Sequence, residues 1–420
     1  MKKEIYNEIK QKAEYCLNCK NPLCNKGCPL GNNIPKFISK IKEENYKEAY
    51  EILSKTTIMQ PICGLICPHE KQCQGSCIRG IKGKPVQIGE MEAFIGNIAL
   101  ENKWYKLDIQ NKTNKKVAII GGGPAGISCG VFLAKKGYDI TIYEKNDKLG
   151  GVLTYGIPEF RLNKEIVEKW IGQILNFGIK VKYNKKLGQN LGLAELEKEY
   201  DAIFISIGAN HSVQLNLKGE VLEGVYGANE LLEYNKHPNY IGKIIAVIGG
   251  GNVALDSART IKRLGAKKVY VIYRRAEKQM PAERKEIADA KNEGIEFLFQ
   301  NNIVKILGKN KVEGVELIKT ELIKKVGEDR EAPVDIENSN YELKVDYIIR
   351  AIGSEPEKND IFKDIKINNR GYIIVNENYS TSNKKVFAGG DVIGTKATVA
   401  YAAKTGREAA KEIDAFLNKK

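Results

Sequence analysis

At 420 residues, 42% hydrophobic and 28% charged, the chain is long enough for two to four domains with cores of their own and has the composition of an ordinary soluble protein. Its most apolar stretch, Val117 to Ala134, is interrupted by Gly121-Gly122-Gly123-Pro124, which excludes a membrane span there and fits strand, loop and helix. The formal charge of +15 is mostly lysine spread along the chain, with 11 arginines and no basic run interleaved with aromatics. That excludes a nucleic-acid module and leaves either solvated lysine faces or a basic surface that steers an acidic protein partner.

Eight of the nine cysteines lie in the first 77 residues, as Cys16, Cys19, Cys24, Cys28 and then Cys63, Cys67, Cys73, Cys77. The first block reads C-x2-C-x4-C-x3-C-P, close to the ferredoxin run in which the Pro-flanked fourth cysteine ligates the other cluster of a pair. The second reads C-x3-C-P-x4-C-x3-C. Disulfides need an oxidising compartment, and the opening run Met1-Lys2-Lys3-Glu4-Ile5-Tyr6-Asn7-Glu8 has no apolar core after its charges, so no export signal is expected. Structural zinc is the stronger alternative, since two tetrahedral thiolate sites also use eight cysteines. Zinc sites favour paired short knuckles, however, and after the one x2 gap these are x4, x3 and x5. Iron–sulfur chemistry fits best. Residues 1–110 are expected to be mostly helical, with one apolar-periodic stretch from Ile34 to Leu53 (Phe37, Ile38, Ile41) and another helix from Ile88 to Ala99. Lys103 to Lys116 reads as a mostly polar linker.

From Val117 the pattern changes. Val117-Ala118-Ile119-Ile120 is a short apolar strand running into Gly121-Gly122-Gly123-Pro124-Ala125-Gly126 and a helix-like Ile127 to Lys136. This is G-x-G-x-x-G between strand and helix, so Gly121, Gly123, Pro124, Ala125 and Gly126 are candidate contacts for a pyrophosphate at a helix N-terminus. The next strand, Asp139 to Tyr143, ends at Glu144, 18 positions past the last glycine, where an acid suits ribose hydroxyls without a 2′-phosphate.

The design repeats. Ile244-Ile245-Ala246-Val247-Ile248 leads into Gly249-Gly250-Gly251-Asn252-Val253-Ala254, a G-x-G-x-x-A variant with Gly249, Gly251, Asn252, Val253 and Ala254 as candidate contacts, and the helical Leu255 to Leu264 follows. The strand Lys268 to Tyr273 then ends in Arg274 and Arg275, where the first copy has Glu144. Paired guanidiniums clamp a 2′-phosphate by charge-assisted hydrogen bonds, which points to NADP; the bland alternative is a basic strand end. Lys305 to Lys344 alternates enough to suggest β-strands. The twin glycine loops are two copies of one nucleotide-binding design, not a solenoid repeat.

Near the C-terminus, Val386-Phe387-Ala388 enters Gly389-Gly390-Asp391, and an amphipathic helix begins at Ala397. Gly390 and Asp391 are candidates for holding a ribityl hydroxyl beside a helix N-terminus that favours negative charge on a reduced flavin. Two echoes, Phe204 to Gly208 and Ile348 to Gly353, fit points where the chain crosses between nucleotide domains. Between Cys129 and the C-terminus there is no cysteine pair, so a disulfide cannot take electrons from a flavin there. Cys129 itself reads as a small buried residue.

The order of cysteine blocks, G-G-G-P-A-G, L-G-G-V-L-x-Y-G-I-P-x-F-R-L, G-G-G-N-V-A-x-D, Y-R-R-x-x-x-x-M-P-A and F-A-G-G-D resembles the small (β) subunit family of NADPH-dependent glutamate synthase. It also resembles the large subunit of NADH-dependent ferredoxin:NADP oxidoreductase and the N-terminal part of dihydropyrimidine dehydrogenase, over about Ala13 to Ala410. The resemblance implies an α/β protein in which an N-terminal α-helical domain (1–110) carrying two [4Fe-4S] clusters precedes two Rossmann-like domains. The FAD domain is discontinuous, 115–238 and 346–420, and the NADP domain, 239–345, is inserted. It implies one cluster on Cys16, Cys19, Cys24 and Cys77, and a second on Cys28, Cys67 and Cys73 with Glu92 as a non-cysteine fourth ligand. The residues by themselves would fill that slot with Cys63. Gly150, Gly151, Tyr155 and Arg161 are implied near FAD, and Thr398 with Val399 near the isoalloxazine edge. The implied activity is that of an NAD(P)H-dependent oxidoreductase: hydride from NADPH to FAD with no catalytic side chain, then single electrons through the clusters to a redox protein partner. That partner is a glutamate synthase large subunit or, in the rival reading, a ferredoxin-type protein, with bifurcation as an option. A cytoplasmic hetero- or homo-oligomeric assembly is expected. A nucleotide-responsive, zinc-bearing interaction scaffold is the alternative of another class.

Overall fold

The computed structural model describes residues 2–106, 112–324, 331–357, 362 and 365–418. The chain divides into two compact units, the first holding Met1–Thr154, Glu159–Ala209 and Lys358–Lys420, the second Tyr155–Pro158 and Asn210–Glu357. Among the described residues no helix is long and apolar enough to cross a membrane.

Among the described residues the first unit opens with six α-helices: α1 (Lys2–Glu14), α2 (Leu23–Gly27), α3 (Ile34–Lys42), α4 (Tyr46–Leu53), α5 (Gln60–Ile66) and α6 (Ile88–Glu101). The single periodic stretch expected from 34 to 53 is two helices. Glu44 takes a left-handed φ of 56°, which ends α3, and Asn45 starts α4 by accepting the Glu48 N–H on its side chain (3.2 Å). Each piece still buries its apolar face: Ile34, Phe37, Ile38 and Ile41 from α3, and Leu53 from α4. Such side chains contribute about 1.5–3 kcal/mol each. Helices α5 and α6 approach to backbone contact. A Cβ on Gly64 would lie 2.2 Å from Ala93 N, and one on Gly96 would lie 2.3 Å from Pro61 N. Cys63 and Glu92 immediately adjoin that seam. The expected linker from Lys103 to Lys116 is packed where it begins, because Tyr105 is buried and its hydroxyl donates to Gln60 Oε1 (2.8 Å). Residues 107–111 of that linker lie outside the described residues.

Next come β1 (Lys116–Ile120), α7 (Pro124–Ala134), β2 (Asp139–Tyr143), α8 (Val152–Tyr155), α9 (Lys164–Leu175), β3 (Lys180–Lys182), α10 (Leu193–Glu199) and β4 (Ala202–Ile205). The second unit supplies β5 (His211–Ser212), β6 (Val225–Gly227), α11 (Ala228–Tyr234), β7 (Ile244–Ile248), α12 (Asn252–Arg263), β8 (Lys268–Tyr273), α13 (Arg284–Asn292), β9 (Glu296–Phe299), β10 (Asn301–Leu307), β11 (Gly314–Ile323), β12 (Ala332–Asp335), β13 (Tyr341–Leu343), β14 (Tyr347–Arg350) and β15 (Ser354–Glu355). The chain then returns to the first unit with β16 (Val386–Ala388) and α14 (Val399–Leu417).

Two parallel sheets follow the same plan, β16-β4-β1-β2-β3 in the first unit and β6-β14-β7-β8-β9 in the second. In each, the strand that feeds a glycine loop (β1 or β7) is central, and its apolar residues are buried on both faces, as parallel strands covered by helices require. The expected limits at 239 and 345 fall inside the span of the second sheet, which takes β6 and β14 as well. The two Ile-Gly echoes follow β4 and β14, and the chain changes unit soon after each, at 209/210 and 357/358. The described parts of the alternating 305–344 segment, 305–324 and 331–344, contribute to the antiparallel β10–β13 sheet, and residues 325–330 lie outside the described residues.

Within the first unit the helical region is tied to α9 by two side-chain hydrogen bonds. The fully buried Trp170 donates Nε1–H to Ile58 O (2.8 Å), and Gln173 Nε2 donates to Leu100 O (2.7 Å).

Candidate functional site

The cysteines separate into two sets. Cys16, Cys19, Cys24 and Cys77 line one cavity of about 60 Å³ together with Leu17, Leu23, Ile34 and Ile38. Burial, with Cys77 and Cys16 as electrostatic neighbours, pushes the Cys24 thiol up to about 11. Cys77 comes from another loop, so the fold brings it back to the first block. The second set gathers Cys28, Cys67, Cys73 and Glu92. Burial first and Glu92 second push Cys28 up to about 12, and the same two causes hold Cys73 well above its ordinary value. Cys63, also buried, lies against Cys67 and feels Glu92, Cys28 and Cys73, so five groups meet where a cluster has four corners.

Among the described residues no three His, Cys, Asp or Glu side chains converge as ligands of a single ion; burial and charge are what suit these sets to an iron–sulfur group. Glu92 is 5% exposed and burial pushes its carboxyl up to about 8, against the lowering effect of a hydrogen bond from Asn32 Nδ2 (3.3 Å). Burying a carboxylate costs several kcal/mol unless a positive group compensates it, and thiolates obey the same rule. Ferric and ferrous iron supply that compensation, and metal binding draws the protons off such ligands. The donor set fits.

The first glycine loop is built by close backbone approach. Gly121 has φ +101° and a Cβ there would meet Ser206 O at 2.5 Å; a Cβ on Gly126 would meet Gly121 O at 2.0 Å. Gly123 caps α7, and Pro124 and Ala125 form its first turn, leaving amides toward the loop. Glu144, at the end of β2, accepts Gly122 N–H on Oε2 (2.8 Å) and Asn146 N–H on Oε1 (2.9 Å). Gly150 donates to Gly122 O (2.8 Å), and Gly151, with φ +53°, would place a Cβ 3.0 Å from Gly123 Cα. Gly390 N–H donates to Thr405 Oγ1 (2.7 Å), and a Cβ on Gly390 would lie 2.9 Å from Ala125 Cβ. Asp391 accepts from Thr395 Oγ1 (2.7 Å) while burial holds its carboxyl above the usual range. Thr398 caps α14 by accepting Tyr401 N–H (3.3 Å), and Val399 is its first residue. The structure therefore brings Gly121–Gly126, Glu144, Gly150, Gly151 and Gly390 together. Tyr155 belongs to the short Tyr155–Pro158 segment grouped with the second unit, while Arg161, partly exposed, belongs to the first. We expect Gly126→Ala to weaken FAD binding about tenfold or more, since overpacking against backbone costs about 1–3 kcal/mol. Flavin absorbance retained after desalting, compared with wild type, measures it.

In the second unit Gly249 (φ +141°) would place a Cβ 2.2 Å from Ala351 O, and Gly250 would place one 2.5 Å from the Tyr273 ring. Gly251 caps α12, and Ala254 is fully buried within its first turn. Asn252 and Glu283 bond reciprocally, Glu283 N–H to Asn252 Oδ1 (3.2 Å) and Asn252 Nδ2 to Glu283 Oε1 (3.4 Å). Ala282 N–H reaches Gly250 O (3.1 Å), and the Tyr273 hydroxyl reaches Gln279 O (2.8 Å). This is a physical reason for the Y-R-R-x-x-x-x-M-P-A pattern: the 273–283 loop straps the glycine loop. Arg274 is exposed, and Arg275 is half-buried with its Nε buried and lacking a hydrogen-bond partner.

Sequence reasoning missed Ser206, Thr405, Gly406 and Glu283. Ser206 Oγ donates to Gly121 O (2.9 Å), and a Cβ on Gly406 would meet Ala125 O at 2.0 Å. A glycine inside the amphipathic run of α14 was the available signal for close packing.

Residues 115–406 match the pyridine nucleotide-disulphide oxidoreductase family, and residues 1–104 match dihydropyrimidine dehydrogenase domain II, 4Fe-4S cluster. The glutamate synthase [NADPH] small chain of Escherichia coli (strain K12) is 34% identical over 442 aligned positions, covering 99% of this chain and 93% of that one. The NAD-dependent dihydropyrimidine dehydrogenase subunit PreT of Salmonella typhimurium is 33% identical, covering 97% and 94%. The NADP(+)-dependent formate dehydrogenase subunit beta of Moorella thermoacetica is 32% identical, covering 94% and 60%. Among solved structures, Mycobacterium tuberculosis FprA in complex with NADPH shares the fold with a TM-score of 0.64 at 21% identity, over 72% of this chain and 84% of that one. With a helical 4Fe-4S domain ahead of an FAD- and NAD(P)-binding oxidoreductase fold, the chain belongs to the glutamate synthase small-chain family of NAD(P)H-dependent oxidoreductases.

Proposed function

We propose that the chain is an NADPH-oxidising electron-input subunit that works as the glutamate synthase small chain does, with two [4Fe-4S] clusters. When bound, NADPH supplies a hydride, FAD accepts it, and the clusters carry its electrons singly. The chain's own residues bind and orient. Gly249–Ala254 present backbone amides to a pyrophosphate and Arg274 with Arg275 clamp the 2′-phosphate. Glu144 offers its carboxylate to ribose hydroxyls, and Gly121–Gly126 with Gly150 and Gly151 leave room for a pyrophosphate against bare backbone. Asp391 holds a ribityl hydroxyl, and Thr398 and Val399 open the helix that meets the ring edge. Tyr155 and Arg161 complete the FAD contacts.

The observation that carries this reading is the sorting of the front thiols into two sets, the first half-buried and the second mostly buried, in the same compact unit as the β1-centred sheet. No cysteine follows Cys129, so a disulfide exit is missing. Electrons are proposed to leave through the first set, whose cavity is rimmed by Leu17, Leu23 and Ile78, each about half exposed. An exposed apolar rim, on a chain with a formal charge of +15, suits an acidic redox partner. Relatives of nearly equal identity are named as subunits of glutamate synthase, formate dehydrogenase and dihydropyrimidine dehydrogenase. A ferredoxin-type acceptor is the second reading, favoured by the +15 charge. Anaerobic protein should contain iron and sulfide, and its yellow chromophore should bleach on adding NADPH. Co-purification from the native host, with assays of the complex on glutamine plus 2-oxoglutarate and on ferredoxin, separates the two acceptors. Iron-free protein, or flavin unmoved by NADPH, ends the reading.

A further inference from the structure

Three consecutive residues of α14 touch three different parts of the first unit. Thr405 Oγ1 accepts the Gly390 N–H, beside Asp391 (2.7 Å). Gly406 is the bare position against Ala125 O in the first glycine loop. Arg407 Nη1 donates to Leu30 O (2.7 Å) and to Thr56 O (2.6 Å). Leu30 lies two residues past Cys28. Thr56 leads to the same place by a second path, because its hydroxyl donates to Asn32 Oδ1 (2.6 Å) and Asn32 Nδ2 donates to Glu92 Oε1 (3.3 Å). The Arg407 side chain is 20% exposed, and the Glu408 carboxylate stands 3.8 Å from Nη2. That carboxylate is also engaged by the Tyr379 hydroxyl and lies 3.8 Å from Lys404.

A guanidinium that is four-fifths buried and spends hydrogen bonds on main-chain carbonyls is costly unless negative charge lies close by. Burial lowers its basicity, opposed in part by Glu408 first and Cys28 second. We propose that Arg407 is the positioning residue that ties the second thiolate set to the flavin-side helix, and that its fixed positive charge raises the reduction potential of the centre held by Cys28, Cys67 and Cys73. Net charge near a cluster tunes its potential, since a nearby cation favours the more negative, reduced state. With Thr405 and Gly406 engaged at the nucleotide loops, one turn of helix sets the spacing between the flavin site and this centre. The inference rests on the reading of the front thiols as iron–sulfur ligands.

The test uses the full chain, purified anaerobically as wild type, Arg407→Gln and Arg407→Lys. FAD and iron per chain are quantified, and the clusters are titrated reductively with detection by electron paramagnetic resonance. We expect Arg407→Gln to keep its FAD while one of the two midpoint potentials moves to a more negative value and the other stays in place. Arg407→Lys, which keeps the charge, should titrate like wild type. If the glutamine variant sheds half of its iron while the lysine variant keeps all of it, the need for the charge is likewise upheld. Unchanged midpoints in Arg407→Gln at full iron, or a lysine variant shifted as far as the glutamine one, overturn the proposal. Wild-type protein without iron overturns the underlying reading instead, and is recognised before any variant is compared.

Discussion

Glu92→Ala should lose about half of the protein's iron while Cys63→Ser retains all of it, if the second centre takes its fourth ligand from α6. Both groups are buried, and the structure brings both to Cys28, Cys67 and Cys73, so proximity does not separate them. Energetics does. A neutral buried cysteine is a small apolar side chain and sits on α5 at little cost. A buried glutamate does not: burial drives its carboxyl up to about 8, against the opposing hydrogen bond from Asn32. An iron ion beside it removes the penalty, whereas a chain without the centre would carry a cost of several kcal/mol at α6. Glu92→Gln, which keeps an oxygen donor and drops the charge, should retain the centre at a shifted potential. Iron and acid-labile sulfide assays on the variants decide the matter. Iron loss confined to Cys63→Ser would falsify the assignment and hand the fourth corner to the thiol.

The largest effect on catalysis is expected from Arg274 and Arg275. Changing both to alanine should lower kcat/KM for NADPH by about 100-fold and leave that for NADH nearly unchanged, because hydrogen bonds to charged groups contribute about 1.5–3 kcal/mol each and only NADPH has the 2′-phosphate to accept them. Arg275 should carry more of it than Arg274. Its Nε–H is buried without an acceptor, a donor that the phosphate would satisfy, whereas Arg274 is exposed and screened. The backbone of the pair is already held in place, with Arg274 O accepting from Thr320 Oγ1 (2.8 Å) and Arg275 O from Gln300 N–H (3.2 Å). Steady-state reduction of an artificial acceptor with each nucleotide measures the ratio directly. An unaltered NADPH to NADH preference in the double variant would mean that the basic strand end is surface decoration.

Much of this could be read from the linear chain, and the reason is locality. A strand, a G-x-G-x-x-G turn and the first helical turn are contiguous, so the chemistry of pyrophosphate binding is written within some ten residues at Val117–Gly126 and again at Ile244–Ala254. Acid against base at the end of the following strand, Glu144 against Arg274 and Arg275, is equally local. Other features were misread for want of a local signal. Nothing in the apolar spacing of Ile34 to Leu53 announces a break, because the periodicity of α4 resumes after Glu44 turns left-handed and Asn45 caps the new start. The polar look of Lys103 to Lys116 hid Tyr105, whose partner Gln60 lies 45 positions earlier.

By itself the sequence determined the cofactor classes and the twin nucleotide-binding sheets, since both depend on short spacings of cysteine, glycine and charge. The cysteine spacings left the sorting of the thiols open and only the family resemblance implied it; the tertiary structure brings Cys77 back to Cys16, Cys19 and Cys24 and sets Glu92 on α6 near Cys28 and Cys73. It also decided which helix reaches that second set, by way of Arg407 and a carbonyl 377 positions away in the chain. The physical reason is that burial and neighbouring charge are properties of packed surfaces: a carboxylate, a thiolate or a guanidinium has no cost and no purpose in a chain until the fold has removed its water and chosen its neighbours.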